Sequence, residues 1–189
     1  MPLIAGLTGL VGSGKSEVSR YLSRVYDFQS MSFSEILLEE AKKRDLLAGK
    51  SCEELKYVLS QLGMSLRKES GKMGILAEKA IDKIKTERYE RAAVDGFRSV
   101  EEVNLFRENF ERFYLIFVNA DERTRLFRRN ARDSSISIEN LRKRDQENIE
   151  TMGLGKVIEM ADFTLYNNGQ NLNYFHSEID ELMKRISSS

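Results

Sequence analysis

The stretch Gly9-Leu10-Val11-Gly12-Ser13-Gly14-Lys15-Ser16 sets Gly, four intervening residues and then Gly-Lys-Ser in one turn, a spacing suited to holding a chain of phosphates. Phosphate oxygens need several donors converging from different directions. Gly9, Gly12 and Gly14 let consecutive backbone N–H groups around Ser13 turn inward, and a following helix would present its positive end to the same anion. Lys15 would reach the β and γ phosphates of ATP, and the Ser16 hydroxyl would hold Mg²⁺ against those oxygens. A glycine turn fitting the pattern by chance is the competing reading.

Asp95 is the next residue able to do chemistry. It follows the apolar run Ala92-Ala93-Val94, where a carboxylate suits the C-terminal rim of a strand, the edge at which ligands of open α/β sheets gather. There it can enter the Mg²⁺ shell; the plain alternative is a turn-forming Asp-Gly pair with Gly96. A dense basic segment follows later: Arg123, Arg125, Arg128, Arg129 and Arg132, then Arg142, Lys143 and Arg144. Guanidinium forks match phosphate geometry and stabilise the spread charge of phosphoryl transfer, which predicts a closing lid over residues 122–145. Some of these arginines must instead be solvated or paired with Asp121, Glu122 and Glu139, and such a segment could also grip RNA or DNA. No aromatic side chain interleaves with the basic ones from Arg128 to Arg144, which argues against nucleic acid. The guanine-reading Asn-Lys-x-Asp pattern of GTPases is absent from the sequence.

The elements that must position these residues are legible in the hydrophobic pattern. Leu3 to Leu7 is a nearly continuous apolar run, as in a strand buried on both faces, and Val18, Leu22 and Val25 return at helical spacing after Lys15. The phosphate motif thus lies between a strand and a helix, as its chemistry requires. Further strands are expected around Phe28 to Phe33, at Ala92 to Val94, at Phe113 to Val118 and at Phe163 to Tyr166. Helices are expected over Ser34–Arg44, after a Ser51/Glu54 capping box, and over Ile75–Ile84, Val100–Asn109, Arg123–Arg132 and Ile138–Glu150, with a last one carrying the stripe Leu172 to Ile186. Alternating strands and helices predict a three-layer α/β fold, a P-loop NTPase with a five-stranded parallel sheet.

Composition narrows the class. A chain of 189 residues suits one domain, and 41% hydrophobic residues argue against disorder. Lys plus Arg at 30 balance Asp plus Glu at 30, so no global field recruits nucleic acid or anionic lipid. The single cysteine, Cys52, excludes an internal disulfide framework. No apolar run approaches the roughly 20 residues needed to span a bilayer, and the sequence starting at Met1 shows no leader, so a soluble, cytoplasmic protein is expected. His176, the only histidine, has no expected catalytic role, and the oligomeric state is not legible.

Taken together, several segments resemble the nucleoside monophosphate kinase superfamily of P-loop proteins, and most nearly an archaeal-type dephospho-CoA kinase-like branch. They are the phosphate loop, the Ser34 to Arg44 helix, Leu66-Arg67-Lys68-Glu69, Val94-Asp95-Gly96-Phe97-Arg98-Ser99, Ala161-Asp162-Phe163, and Asn167-Asn168-Gly169. The resemblance covers almost the whole chain. It implies that Arg98 binds an acceptor phosphate within a segment that has lost the family's proline. It implies that Arg67 lies in a helical acceptor-binding insert over residues 34–90, that Arg128 and Arg132 act from the lid, and that Asn167, Asn168 and Gly169 border adenine. It also implies that Arg144-Asp145 forms the lid's second hinge. One departure stands out: the family's arginine in the first acceptor helix is replaced by Leu38, for which Lys42 or Arg44 would have to substitute.

The chemistry of the acceptor separates the remaining readings. A monophosphate acceptor needs only positioning, whereas a hydroxyl, as in dephospho-CoA, benefits from a carboxylate base. The stretch Gln29-Ser30-Met31-Ser32 carries no carboxylate before Glu35, which favours a phosphate acceptor and leaves Glu35 as a substrate-binding residue. The expectation is an ATP- and Mg²⁺-dependent kinase acting on a nucleotide-like small molecule. Its catalytic residues would be Lys15, Asp95, Arg128 and Arg132. Hydroxyl phosphorylation and a non-kinase ATP-binding module with a protein or RNA partner are the alternatives.

Overall fold

Every residue of β1 (Leu3–Thr8) is buried, because the strand runs through the middle of a sheet covered on both faces. The other strands are β2 (Gln29–Ser32), β3 (Arg91–Asp95), β4 (Arg112–Asn119) and β5 (Phe163–Tyr166). In this computed structural model, which describes residues 1–50, 52–132, 138–169 and 171–188, they form one five-stranded sheet in the order β2-β3-β1-β4-β5. All four pairings are parallel. The chain therefore fans out to opposite sides of β1, and the turn that leaves β1 sits where the winding reverses, the place at which open α/β sheets form a crevice.

Successive side chains of a strand face opposite ways, so the alternating residues of β1 and β4 feed two cores. Ile4 and Leu115 join Val94 and Phe97 beneath α2 (Phe33–Lys43), α3 (Cys52–Ser70), α4 (Ile75–Thr86), α5 (Val100–Asn109) and α8 (Leu154–Glu159). Ala5, Leu7, Ile116 and Val118 pack on the other face against α1 (Lys15–Tyr26) and α9 (Leu172–Ser187). Between them α6 (Glu122–Arg132) and α7 (Ile138–Met152) carry the basic segment. No helix among the described residues is long and apolar enough to cross a membrane.

The capping pattern differs from expectation in an instructive way. Ser51 lies outside the described residues, as does any cap it forms. Among the described residues, two capping boxes occur. Ser32 and Glu35 close one at the start of α2, and Ser99 and Glu102 close another at the start of α5. Each satisfies two backbone N–H groups that a helix start leaves without partners. The helix α8 was not expected; it is short, follows the N-cap Gly153 and contains Gly155, so it shows no apolar period in sequence.

A cluster of titratable groups pins α9 to α1, the helix that follows the phosphate loop. Asp180 accepts from the Tyr26 hydroxyl at 2.8 Å and from the Tyr21 hydroxyl at 3.0 Å. His176 stacks on Tyr21 with ring centroids 4.0 Å apart, and its Nε2 lies 2.9 Å from Glu17 Oε1. The lone histidine is thereby accounted for as a packing residue. Burial and the hydrogen bond to Asp180 push the Tyr26 phenol up to about 12, against about 10 in an unfolded chain. The unfolded state loses this proton first, so stability falls as pH rises from the unfolded value to the folded one. Urea unfolding of Tyr26→Phe should show a shallower loss of stability above about pH 10 than the wild type.

Candidate functional site

Three glycines shape the loop between β1 and α1, with positive φ at Gly9 (137°), Gly12 (86°) and Gly14 (107°). At Gly9 a side chain is excluded on space alone, since a Cβ would lie 2.4 Å from the Val118 carbonyl of β4. Gly14 is the N-cap of α1 and no side chain caps that helix; Glu17 N–H donates to Gly14 O at 2.9 Å, and the positive end of the helix faces the loop, where it favours an anion. The carbonyls of the loop are taken up by side chains. Lys15 Nζ donates to Gly9 O at 2.9 Å and to Leu10 O at 3.2 Å. Arg125 Nη1 donates to Val11 O at 3.1 Å. Ser13 O accepts from Asn167 Nδ2 at 2.9 Å and from Arg128 Nη1 at 3.3 Å. The Ser13 hydroxyl is buried without a hydrogen-bond partner among the described residues.

Asp95 ends β3 in register with Leu7 of β1, so the strand pairing itself carries the carboxylate to the rim beside the loop. Thr8 reinforces this by donating its hydroxyl to Phe97 O at 2.9 Å. One carboxylate oxygen, Asp95 Oδ1, is buried and has no hydrogen-bond partner among the described residues. Burial raises the Asp95 pKa, the charges of Lys15 and Arg98 pull it down, and Glu35 pushes it up. Burial lowers that of Lys15, while Asp95 opposes the shift. The two are thus complementary charges held partly dehydrated in one place. Ser16, Asp95, Ser30, Ser32 and Glu35 line a cleft of about 470 Å³ on this side of the loop. An adjoining cleft of about 290 Å³ continues past Glu35 to Leu38 and Lys42.

The two arginines expected at an acceptor are held differently. Arg67 Nη2 lies 3.2 Å from Glu102 Oε1 and its Nε donates to Met73 O at 3.2 Å. The other oxygen of Glu102 accepts the backbone N–H of Arg98 at 2.8 Å and of Ser99 at 3.1 Å. Arg67 therefore neutralises a buried carboxylate that shapes the Asp95–Ser99 segment, and the exposed Arg98 side chain is the one whose charge acts on Asp95 and Lys15. Glu35 lines the cleft, with one oxygen accepting from Ser32 N at 2.7 Å as part of the α2 cap. Of the two stand-ins for the residue missing at Leu38, Lys42 lines the adjoining cleft, whereas Arg44 turns to Glu69 at 3.3 Å and Glu40 at 3.6 Å.

On the far side of the loop, Asn167 is buried, with its N–H on Asn119 O at 2.7 Å and its Oδ1 accepting Arg128 Nη2 at 2.7 Å. Asn168 Oδ1 accepts the Asp121 N–H at 2.9 Å, and Gly169 adopts φ 77° beside Thr124. The three residues after β5 are thus fastened to the start of α6 and to the loop. Arg132 ends α6, but its side chain, like that of Arg144, lies outside the described residues. The sequence pointed to Arg125 in the basic segment and Asp145 in the lid's second hinge, but not to their pairing, which is buried at 2.7 Å. No local signal distinguishes Arg125 from the arginines around it; only burial does.

The comparisons with known proteins agree with this architecture. A family model described as an AAA domain matches residues 8–153. A UPF0200 protein of Thermococcus kodakarensis is 32% identical over 98% of this chain and 99% of its own length. Among solved structures, a shikimate kinase from Bacteroides thetaiotaomicron superposes with a TM-score of 0.65 at 14% identity, covering 98% of both chains. A gluconokinase from Sinorhizobium meliloti does so with a TM-score of 0.55 at 14% identity, covering 99% of this chain and 94% of its own. These likenesses are of fold, the fold of P-loop kinases.

Removing the partner of a buried charge costs more than the pair contributes. Arg67→Ala leaves Glu102 uncompensated and should lower unfolding free energy by about 3 kcal/mol in urea titration, whereas Arg98→Ala, at an exposed position, should change it by less than about 0.5 kcal/mol.

Proposed function

The chain belongs to the AAA-domain family and to the UPF0200 group, and from that premise we propose that it is an ATP-dependent kinase of a nucleotide-like acceptor. The observation that carries the reading is the pairing of an open-armed phosphate loop with Asp95 across the rim of β1 and β3. Phosphoryl transfer demands little covalent chemistry from a protein; it demands positioning and neutralisation of charge. The N–H groups of residues 12–16 would bind the phosphates, that of Ser13 exchanging its present bond to Leu10 O at 3.2 Å for the anion. Lys15, which now rests on the carbonyls of its own loop, would swing to the β and γ phosphates when they arrive.

The donor set suits Mg²⁺. A buried carboxylate oxygen with no hydrogen-bond partner and a serine hydroxyl line the same cleft, and Mg²⁺ is a hard cation that takes one or two protein oxygens and completes its shell with phosphates and water. Ser16 and Asp95 would hold it, and the ion would offset charge on the transferring group. The acceptor would lie in the cleft lined by Glu35, with Arg98 and Lys42 as cations for its phosphate. A (deoxy)nucleoside monophosphate fits that charge pattern. A hydroxyl acceptor is the second reading, favoured by the unpartnered Asp95 oxygen, which could take a proton from it.

A transfer assay with γ-labelled ATP and Mg²⁺ tests this directly. The panel would hold ribo- and deoxynucleoside monophosphates, dephospho-CoA, shikimate and gluconate. Label on a monophosphate is the expected result, label on a hydroxyl acceptor promotes the second reading, and label only in free phosphate rejects both. Lys15→Met should lower transfer by about 100-fold or more with an unchanged far-ultraviolet spectrum; near-normal turnover would remove the loop from the site. Asp95→Asn should also lose transfer, yet keep or raise Tm at neutral pH. The sign follows from the raised folded-state pKa: ionisation of Asp95 costs stability, a cost absent below the unfolded pKa and fully developed above the folded one.

A further inference from the structure

We propose that Arg125, oriented by Asp145, is a positioning residue that holds the Val11–Gly12 peptide of the phosphate loop in its binding orientation before any nucleotide arrives. The inference rests on the phosphate-binding reading of the loop, but not on the identity of the acceptor. Three acceptors from three parts of the fold converge on one guanidinium. They are Ala120 O just after β4 at 3.2 Å, Val11 O in the loop at 3.1 Å, and Asp145 Oδ2 of α7 at 2.7 Å. Both side chains of the ion pair are buried, with 5% of Arg125 and 11% of Asp145 exposed. Lysine would serve poorly here, because its donors all sit on one freely turning nitrogen, whereas arginine offers Nε to Ala120 O and Nη1 to Val11 O and Asp145 from separate atoms of one rigid plane.

The Val11–Gly12 peptide is the vulnerable part of the loop. Gly12 has φ 86°, and glycine crosses between positive and negative φ at little cost. A flip of this peptide would turn the Gly12 N–H away from the anion and aim the Val11 carbonyl at it, replacing an attraction by a repulsion. Arg125 opposes the flip in two ways. Its guanidinium binds the Val11 carbonyl on the outer side, and its backbone packs against Gly12 so closely that a Cβ there would meet Arg125 O at 3.1 Å.

Asp145 matters because it fixes where the guanidinium points and keeps a buried cation paired. It contributes this from α7, within the segment expected to close over the loop, and its charge also reaches Lys15. Its second oxygen, Oδ1, has no hydrogen-bond partner among the described residues, so the pair is its principal anchorage. The position of α7 and the shape of the phosphate loop are therefore one coupled variable, and ADP or ATP binding depends on a residue that does not touch the nucleotide.

The experiment compares Arg125→Ala, Asp145→Asn and the double variant with the full-length wild type. Two readouts are taken: hydrogen exchange of the amides of residues 9–16 without nucleotide, and Kd for a fluorescent ADP. Each single variant should weaken ADP binding and speed loop exchange by about tenfold, with α9 amides unchanged. The double variant should be no worse than the worse single, because the two residues act as one unit. Loop exchange that stays at the wild-type rate, that rises only in step with α9, or that adds across the two substitutions overturns the proposal. Asp145→Asn keeps the size and shape of the side chain, so the test stands even if Arg125→Ala does not fold. If the wild type itself binds no ADP, the phosphate-binding reading fails, and the exchange comparison still decides whether the pair holds the loop.

Discussion

A loop that turns its N–H groups toward an anion must find donors for the carbonyls it turns away, and much of this structure answers that constraint. The outward carbonyls of Gly9, Leu10, Val11 and Ser13 are met by Lys15, Arg125, Arg128 and Asn167. Lys15 comes from the motif itself, but the other donors come from α6 and from the segment after β5, so the loop is shaped in part by regions far from it in sequence. A buried backbone polar group without a partner is costly. With the carbonyls held from these directions, the N–H groups at the start of α1 face the end of the helix that favours an anion.

The same region concentrates buried charge. Asp95, Arg98, Arg125 and Asp145 all act on Lys15, and a buried carboxylate, Glu102, stands behind the Asp95–Ser99 turn. Each would be expensive alone. Grouped, opposite charges offset part of one another's burial cost where water is scarce, which is the condition under which charges act strongly on a phosphate. The two aliphatic and aromatic cores flanking the sheet make this possible by holding the strand ends in register. Phe97, two residues beyond Asp95, is itself buried against Phe106 and Phe113.

Much of the framework was legible from sequence because it follows from local chemistry. The run Leu3 to Leu7, the glycine spacing and the helical return of Val18 and Leu22 lead to strand, loop and helix without tertiary information, and Val100–Asn109 and Phe163–Tyr166 were delimited as observed. What escaped had weak local signals. Helix α8 is too short and glycine-rich to show a period. Ser32 and Ser99 make the observed caps, yet each lies at a strand-to-helix passage, Ser32 between Met31 and Phe33, where the boundary has no turn signal of its own. The family resemblance implied an acceptor role for Arg67; its ion pair with the buried Glu102, 35 residues away in sequence, left no local sign.

The sequence by itself determined that a phosphate loop exists, that it joins a buried strand to a helix, and that Asp95 stands at the end of another strand. These are matters of residue type and spacing, which act over a few bonds. Only the tertiary structure decided which arginines serve the loop and which serve the fold. Arg67, Arg125 and Arg128 are chemically identical; what separates them is the group each meets when the sheet order β2-β3-β1-β4-β5 brings distant segments together. A guanidinium takes the nearest strong acceptor, and that acceptor is fixed by packing.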